Sequence, residues 1–188
     1  MAVKQSGASM SQSNISNITR QLIAAERKIE IACFHYQHLE KNLPSAHADS
    51  LGMPPIPVQA YFEGVVISAF SAIDKVLGAL KIQYPNEITG GDQFQLLEII
   101  KPYAPGSKNL IEKESFYNDL RRMRNDAAHA SQEKTPSGLA WVVRAPKGSR
   151  YSGEREILKY AKTAIEFAKN CSPVIEELKK HWLISHLP

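Results

Sequence analysis

The chain has 188 residues, 43% of them hydrophobic, and a formal net charge of +4, which is enough apolar material for one core in a single domain. The longest uncharged apolar stretch, Gly64 to Ile73, ends at Asp74 and falls far short of the roughly 20 residues that span a bilayer, so no membrane-spanning helix is expected. Residues 1–13 are polar, rich in serine and without an apolar signal core, so we expect a disordered tail, one domain over 14–188 and a cytoplasmic location.

Two long helices are predicted first, because apolar residues recur at alternating spacings of three and four. The first stripe consists of Ile15, Ile18, Leu22, Ala25, Ile29, Ala32, Tyr36, Leu39 and Leu43. A Pro-rich segment, LPSAHADSLGMPPIP, ends this helix, and Pro57 suits the first position of the next one. The second helix, Val58 to about Ile82, is apolar nearly all round, so it should lie in the middle of a bundle.

Polar side chains interrupt the second helix on one side. Glu63, Ser71 and Asp74 fall close to one side of the helix, because positions 63 and 74 differ by about three helical turns. Carboxylates on an otherwise buried helix need partners, and the arginines of a later helix are the obvious ones. Glu63 and Asp74 are therefore predicted to support an arginine site. A buried ion pair that only fixes the register of the helices is the alternative.

The middle of the chain predicts two more helices. Asp92 is expected to cap a short helix that runs to Ile100 and is stopped by Pro102. A further helix should begin near Ser107 to Asn109, because an apolar stripe with four-three-four spacing follows: Phe116, Leu120, Met123 and Ala127.

The last part of the chain completes the predicted fold. The segment SGLAWVVRAPKGSRYSG favours a short hairpin or an ordered loop. A last helix follows from about Glu154 to Trp182, and Pro173 should kink or break it near Asn170. The fold class expected is all-α, an antiparallel bundle of four to five helices with the hairpin or loop before the last one. Cys33 and Cys171 both fall on apolar helical stripes, which predicts buried, reduced thiols.

Basic residues cluster in one segment of the chain. Residues 101–155 carry 11 Lys and Arg against 6 Asp and Glu, and they include the stretch LRRMRNDAAHASQ, Leu120 to Gln132. Clustered basic charge is typical of a surface that meets an anionic partner, and nucleic acid is the commonest such partner. A solvated helix face is the alternative reading of the same charges.

Within that stretch, Arg124-Asn125-Asp126-Ala127-Ala128-His129 resembles the R-x4-6-H signature of the HEPN superfamily (higher eukaryotes and prokaryotes nucleotide-binding). The order of predicted helices is similar to that family as well, with the motif at the end of a later helix and one more helix after it. The resemblance implies a metal-independent endoribonuclease, in some members a toxin or an abortive-infection protein, that needs no cofactor. It also implies an antitoxin or nucleotidyltransferase partner for some members.

The residue types suit cleavage of RNA by its own 2′-hydroxyl. An imidazole with a pKa near 6.5 transfers protons at neutral pH, and a guanidinium binds phosphate oxygens through two parallel hydrogen bonds. By resemblance and chemistry, Arg124 would bind the scissile phosphate, His129 would act as acid or base, and Asn125 would hold a substrate oxygen or orient the imidazole. Arg121 and Arg122 would contact flanking phosphates. A tyrosine that some HEPN toxins carry two residues after the histidine is replaced by Ser131.

The resemblance also implies a homodimer. On an ideal helix Asn125 and His129 are neighbours one turn apart, whereas Arg124 points about 140° away from His129. Two copies related by a two-fold axis would bring two histidines and two arginines to one cleft, with one histidine as base and the other as acid. A non-catalytic dimer that binds RNA, nucleotide or a partner protein through the same cleft is the alternative.

Two other groups of residues have candidate roles. Arg144, Lys147 and Arg150 alternate with Trp141 and Tyr151 in the predicted hairpin, a composition that suits unpaired RNA; packing of Trp141 back onto the bundle is the alternative. His35 and His38 are spaced as metal ligands on the first helix, but no matched Cys, Asp or Glu cluster accompanies them, so surface or boundary histidines are the preferred interpretation and no metal is predicted.

Overall fold

The computed structural model describes residues 12–43, 56–87, 92–129 and 154–184, with the backbone alone for 126–129, 154–156, 183 and 184. Residues 1–11 of the predicted tail and the whole predicted hairpin lie outside these ranges. Every regular element within them is helical, so the predicted all-α class is confirmed. None of the described helices combines the length and the apolar character that a membrane span requires.

The first two helices form an antiparallel pair. Helix α1 spans Gln12–Asn42 and α2 spans Ile56–Gln83. The pairing follows from two contacts at opposite ends, because the backbone of Gly64 lies against His35 and that of Gly78 lies against Gln21. Both predicted helices are confirmed. Their observed ends differ from the predicted ones by no more than three residues.

Helix α2 lies in the middle of the molecule, as predicted from its nearly continuous apolar sequence. It packs against α1, and it also contacts four of the helices that follow. Beyond the exposed first two residues of α2, only a narrow strip of the helix faces solvent, and its members recur at every seventh position: Ala60, Ile67, Asp74 and Lys81. Asp74 thus stands at the open edge of α2 and not in its buried part.

Three helices follow in the middle of the chain, α3 at Gln95–Ile100, α4 at Ser107–Ile111 and α5 at Glu114–His129. Asp92 was predicted to cap α3, but the N-cap residue is Phe94, and no side chain forms the cap hydrogen bond. Asp92 instead stabilises the turn before the helix, since its Oδ1 accepts a hydrogen bond from the Phe94 N–H at 2.9 Å.

The single helix predicted from Ser107 onwards is wrong in one respect, because α4 and α5 are separate. At Lys113 the backbone N–H bonds to the carbonyl of Leu110, three residues back, and this tightened turn divides the two helices. Apolar spacing did not reveal the division, since Leu110 and Tyr117 are both buried across it.

The last two helices are α6, Glu154–Lys169, and α7, Cys171–Ile184. They separate at Asn170, where Pro173 was predicted to break a single helix, because proline cannot donate the next hydrogen bond and crowds the carbonyl four residues back. Cys171 is fully buried, whereas Cys33 is only half-buried, so the expectation of burial holds fully for Cys171 alone.

Candidate functional site

Helix α5 presents two faces, and the motif residues divide between them. Tyr117, Leu120 and Met123 form the buried face that packs on the core. Arg121 and Arg122 are exposed, and Arg124 and Asn125 are half-buried at the boundary. The amphipathic spacing of α5 therefore holds the arginines beside the core surface and not in solvent alone.

Arg124 rests on an aromatic ring of α2. Its guanidinium carbon lies 4.8 Å from the centre of the Phe70 ring, within the range of a cation–π contact. Phe70 stacks on Tyr117 with 5.3 Å between ring centres, and Tyr117 contacts Phe94 at 4.7 Å. Three buried rings from α2, α5 and the start of α3 thus form a platform beneath Arg124.

The carboxylates predicted to support Arg124 are placed differently from the expectation. Within the described ranges, none of the ion pairs involves Arg124. Asp74 is exposed at the open edge of α2, and Glu63 is half-buried two turns before Phe70. A buried ion pair between Arg124 and Asp74 is therefore not what fixes the packing of α5 on α2.

A cleft of about 420 Å³ lies beside the platform, and Asp74 and Arg124 both border it. Its lining combines the three rings with charged and amide side chains from α2, α5 and the turn before α3: Phe70, Asp74, Asp92, Gln93, Phe94, Glu114, Tyr117, Asn118, Arg121 and Arg124. Carboxylates only accept hydrogen bonds and guanidinium groups only donate them. The cleft therefore presents both kinds of charged group to one small volume.

Tyr117 lies at the centre of these charges. Burial raises the pKa of its phenol, the negative charge of Asp74 raises that pKa further, and Arg121 and Arg124 oppose the rise, with Asp92 as a weaker contributor. All four charged groups therefore act on the same hydroxyl. The phenol stays protonated at neutral pH and can donate a hydrogen bond.

The three arginines of the cluster have different surroundings. Arg122 pairs with Asp119 one turn earlier on α5, and both act on the pKa of Tyr160 in α6, a pKa that burial raises first. Arg121 and Arg124 border the cleft instead. The structure thus brings Arg121 and Arg124 together and sends Arg122 towards α6.

The remaining predicted residues are partly outside the description. His129 is the last residue of α5, and its backbone is helical. Arg144, Lys147 and Arg150 lie outside the described residues.

Sequence reasoning missed Tyr117, Asp92 and Glu114 as cleft residues. A signal for two of them was present, because Glu114, Tyr117, Arg121 and Arg124 recur at three-four-three spacing beside the apolar stripe.

The histidine pair of α1 packs among rings. His38 stacks on Tyr61 with 5.1 Å between ring centres, and His35 lies against Gly64. Among the described residues, no group of three or more His, Cys, Asp or Glu side chains is arranged to hold a metal ion. The two histidines thus occupy a packed boundary between α1 and α2.

Comparison with protein-family models, with curated proteins and with solved structures finds no match to this chain. Function is therefore argued from the side chains of the cleft and of the adjoining motif.

Proposed function

We propose that this chain is a metal-independent endoribonuclease of HEPN type that cleaves RNA at a site shared by two copies. The observation that carries the proposal is the position of Arg124. Its guanidinium is held on the Phe70 ring at the border of an open cleft, and none of the ion pairs among the described residues involves it. A permanently charged fork in that position is ready to bind a phosphate.

The reaction needs one cation and two proton transfers. The 2′-hydroxyl attacks the adjacent phosphorus, an O2′–P bond forms, and the P–O5′ bond breaks. Arg124 binds the non-bridging oxygens as negative charge develops on them. A histidine takes the 2′-hydroxyl proton, a second protonates the departing O5′, and Asn125 orients one of them. The products are a 2′,3′-cyclic phosphate and a 5′-hydroxyl.

An exposed apolar side chain near Arg124 supports the shared site. Arg124 rests on Phe70 of α2, and Ile67, 36% exposed, lies one turn before Phe70 on the same helix. His129 lies just over one turn beyond Arg124, at the end of α5. The proposed two-fold contact includes Ile67, with each copy providing one His129.

Oligomeric state tests the shared site directly. Ile67→Arg should convert a dimer to a monomer in light scattering coupled to size-exclusion chromatography, and cleavage should fall with it, because a charge in an apolar contact stays unpaired. A wild-type monomer that cleaves RNA would exclude the shared site, whereas the proposed nuclease activity would still stand.

The activity itself is tested with purified protein, structured RNA and EDTA. The expected result is cleavage to fragments with 2′,3′-cyclic phosphate ends, lost in His129→Ala and in Arg124→Ala. Arg27→Ala is the matched control, because Arg27 is exposed on α1, pairs only with its helix neighbour Glu30 and has the same charge. If wild-type protein leaves the RNA intact under these conditions, the proposal is wrong.

The same assay separates the second candidate, a non-catalytic dimer that binds RNA, nucleotide or a partner protein. Binding without cleavage, with an affinity that falls steeply as salt rises, is the expected result for such a module. Arg124→Ala would then weaken binding, whereas His129→Ala would leave it unchanged.

A further inference from the structure

We propose that the cleft beside Arg124 is a pocket for a guanine base. If the pocket selects the RNA substrate, the inference rests on the proposed function. As a binding site for a nucleotide, the pocket is argued from the cleft alone. The base would enter between α2, the turn before α3 and α5. Its own phosphate would then lie at Arg124, which borders the cleft and belongs to the motif.

The size and the layering of the cleft fit a nucleobase. Its volume of about 420 Å³ falls within the roughly 300–1,000 Å³ of small-molecule pockets. Phe70, Phe94 and Tyr117 line it and are each at most 8% exposed, so this part of its wall is held firmly by packing. The other lining residues are charged or carry amide groups. A flat ring with polar edges matches that arrangement.

Tyr117 adds a hydrogen-bonding group to the cleft. The residue is more than nine-tenths buried and lines the cleft. Two carboxylates, Asp74 and Asp92, and two guanidinium groups, Arg121 and Arg124, act on the pKa of its phenol, which burial raises first. The protonated hydroxyl can therefore donate a hydrogen bond to a polar ligand in the cleft.

The charged groups select among the bases. Guanine presents adjacent donors at N1 and N2 and adjacent acceptors at O6 and N7. Carboxylates accept from the donors, and an arginine fork donates to O6 and N7. We assign the donors to Asp74 and Asp92 and the acceptors to Arg121. Adenine and cytosine each lack the paired donors, and uracil offers a single N–H.

A basic protein side chain is a worse match than a base. The three carboxylates would attract a lysine or arginine of a partner, but Arg121 and Arg124 border the same volume and would repel it. A neutral base that offers donors and acceptors is repelled by neither the carboxylates nor the arginines. The charge pattern therefore favours a neutral polar ring inside the cleft, with its phosphate outside it at Arg124.

Calorimetric titration with the four ribonucleoside 5′-monophosphates tests the pocket. GMP should bind the wild-type protein at least about tenfold more tightly than AMP, CMP or UMP, since one well-made pair of hydrogen bonds to a base separates it from the others by about 1–3 kcal/mol. Equal binding of all four nucleotides, or binding of none, would overturn the proposal.

Two conservative variants locate the site. Tyr117→Phe keeps the stacked ring and removes only the hydroxyl, and Asp74→Asn removes a charge from an exposed side chain. Each should weaken GMP binding roughly two- to tenfold, the usual value of one hydrogen bond. Asp119→Asn is the matched control, since Asp119 is on the same helix but not in the cleft. Equal loss in the control, or no loss in either cleft variant, would contradict the assignment.

The titration tests the guanine pocket and the cleavage assay tests the nuclease, so either proposal can be disproved without the other. Wild-type protein that cleaves RNA but binds the four nucleotides equally would disprove the guanine pocket and leave the nuclease intact. Selective GMP binding, lost in Tyr117→Phe but without RNA cleavage, would support the pocket and disprove the nuclease. Circular dichroism of each variant verifies that the helices are retained.

Discussion

The guanidinium carbon of Arg124 lies 4.8 Å from the centre of the Phe70 ring. None of the ion pairs among the described residues involves Arg124, and the arginine of this helix that does form one is Arg122. The guanidinium above the ring keeps part of its hydration shell, because Arg124 is only half-buried. Arginine can therefore exchange its solvent for a phosphate without leaving the platform.

Arg124→Ala should be a mild change for stability and a severe one for activity. A partly exposed cation–π contact contributes about 1 kcal/mol, so the free energy of unfolding in urea should fall by about that amount. For Arg124→Lys the free energy of unfolding should fall less, because lysine keeps the positive charge. A loss of roughly 3–5 kcal/mol would instead indicate a broken buried ion pair and would remove the argument that Arg124 is available to substrate.

Two glycines of α2 predict opposite effects of the same substitution. A Cβ at Gly64 would lie 2.5 Å from the His35 ring, whereas one at Gly78 would lie 3.6 Å from the Gln21 side chain. Gly78→Ala should therefore stabilise α2 by about 0.5–1 kcal/mol through helix propensity. Gly64→Ala should destabilise by roughly 1–3 kcal/mol, because α1 must move away.

Thermal or urea unfolding of the two alanine variants measures both effects with one assay. Gly78→Ala serves as the control for the intrinsic gain from alanine in a helix. A Gly64→Ala protein as stable as Gly78→Ala would show that α1 and α2 do not pack as closely at His35 as described.

The breaks between helices show what the sequence can predict. The break at Asn170 was predicted correctly, because its cause, the ring of Pro173, is local. The division between α4 and α5 was not predicted, because the buried residues Leu110 and Tyr117 continue the apolar spacing across it. The turn at Lys113, which separates the two helices, is defined by backbone hydrogen bonds and leaves no signal in that spacing.

The candidate site divides in the same way. Arg121 and Arg124 share one side of α5, which helical spacing alone indicates. Asp92 reaches the same cleft only because Phe94 packs on Tyr117, and no pattern within α5 reveals that contact. Asp74 was expected inside the bundle, yet it lies at the exposed strip of α2, since apolar residues nearly all round α2 conceal which side stays open.

His35 should make stability depend on pH. Burial, with a smaller effect of His38, lowers its pKa below 6.5 in the folded protein, and its Nδ1 is buried without a hydrogen-bond partner in the described structure. As pH falls through 6.5, the His35 imidazole takes up a proton in the unfolded chain but stays neutral in the folded protein. The free energy of unfolding should therefore decrease on acidification below about pH 7, until His35 is protonated in the folded state as well.

His35→Gln removes this proton uptake. A plot of unfolding free energy against pH, from about pH 7 to 5, should be flatter for the variant than for the wild type. An NMR titration of the His35 ring provides the direct check. A folded pKa at or above 6.5 would refute the prediction.

The two cysteines should differ sharply in reactivity. Cys171 is fully buried at the start of α7, and burial raises the pKa of its thiol, whereas Cys33 is half-buried on α1. Because the thiolate is the reactive form, iodoacetamide should label Cys171 only when the protein opens. In a Cys33→Ser protein the labelling rate should therefore rise with urea in step with unfolding. In a Cys171→Ala protein, Cys33 should be labelled under native conditions. Fast native labelling of Cys171 would mean that the helix break at Asn170 opens locally, and it would contradict the full burial of the thiol.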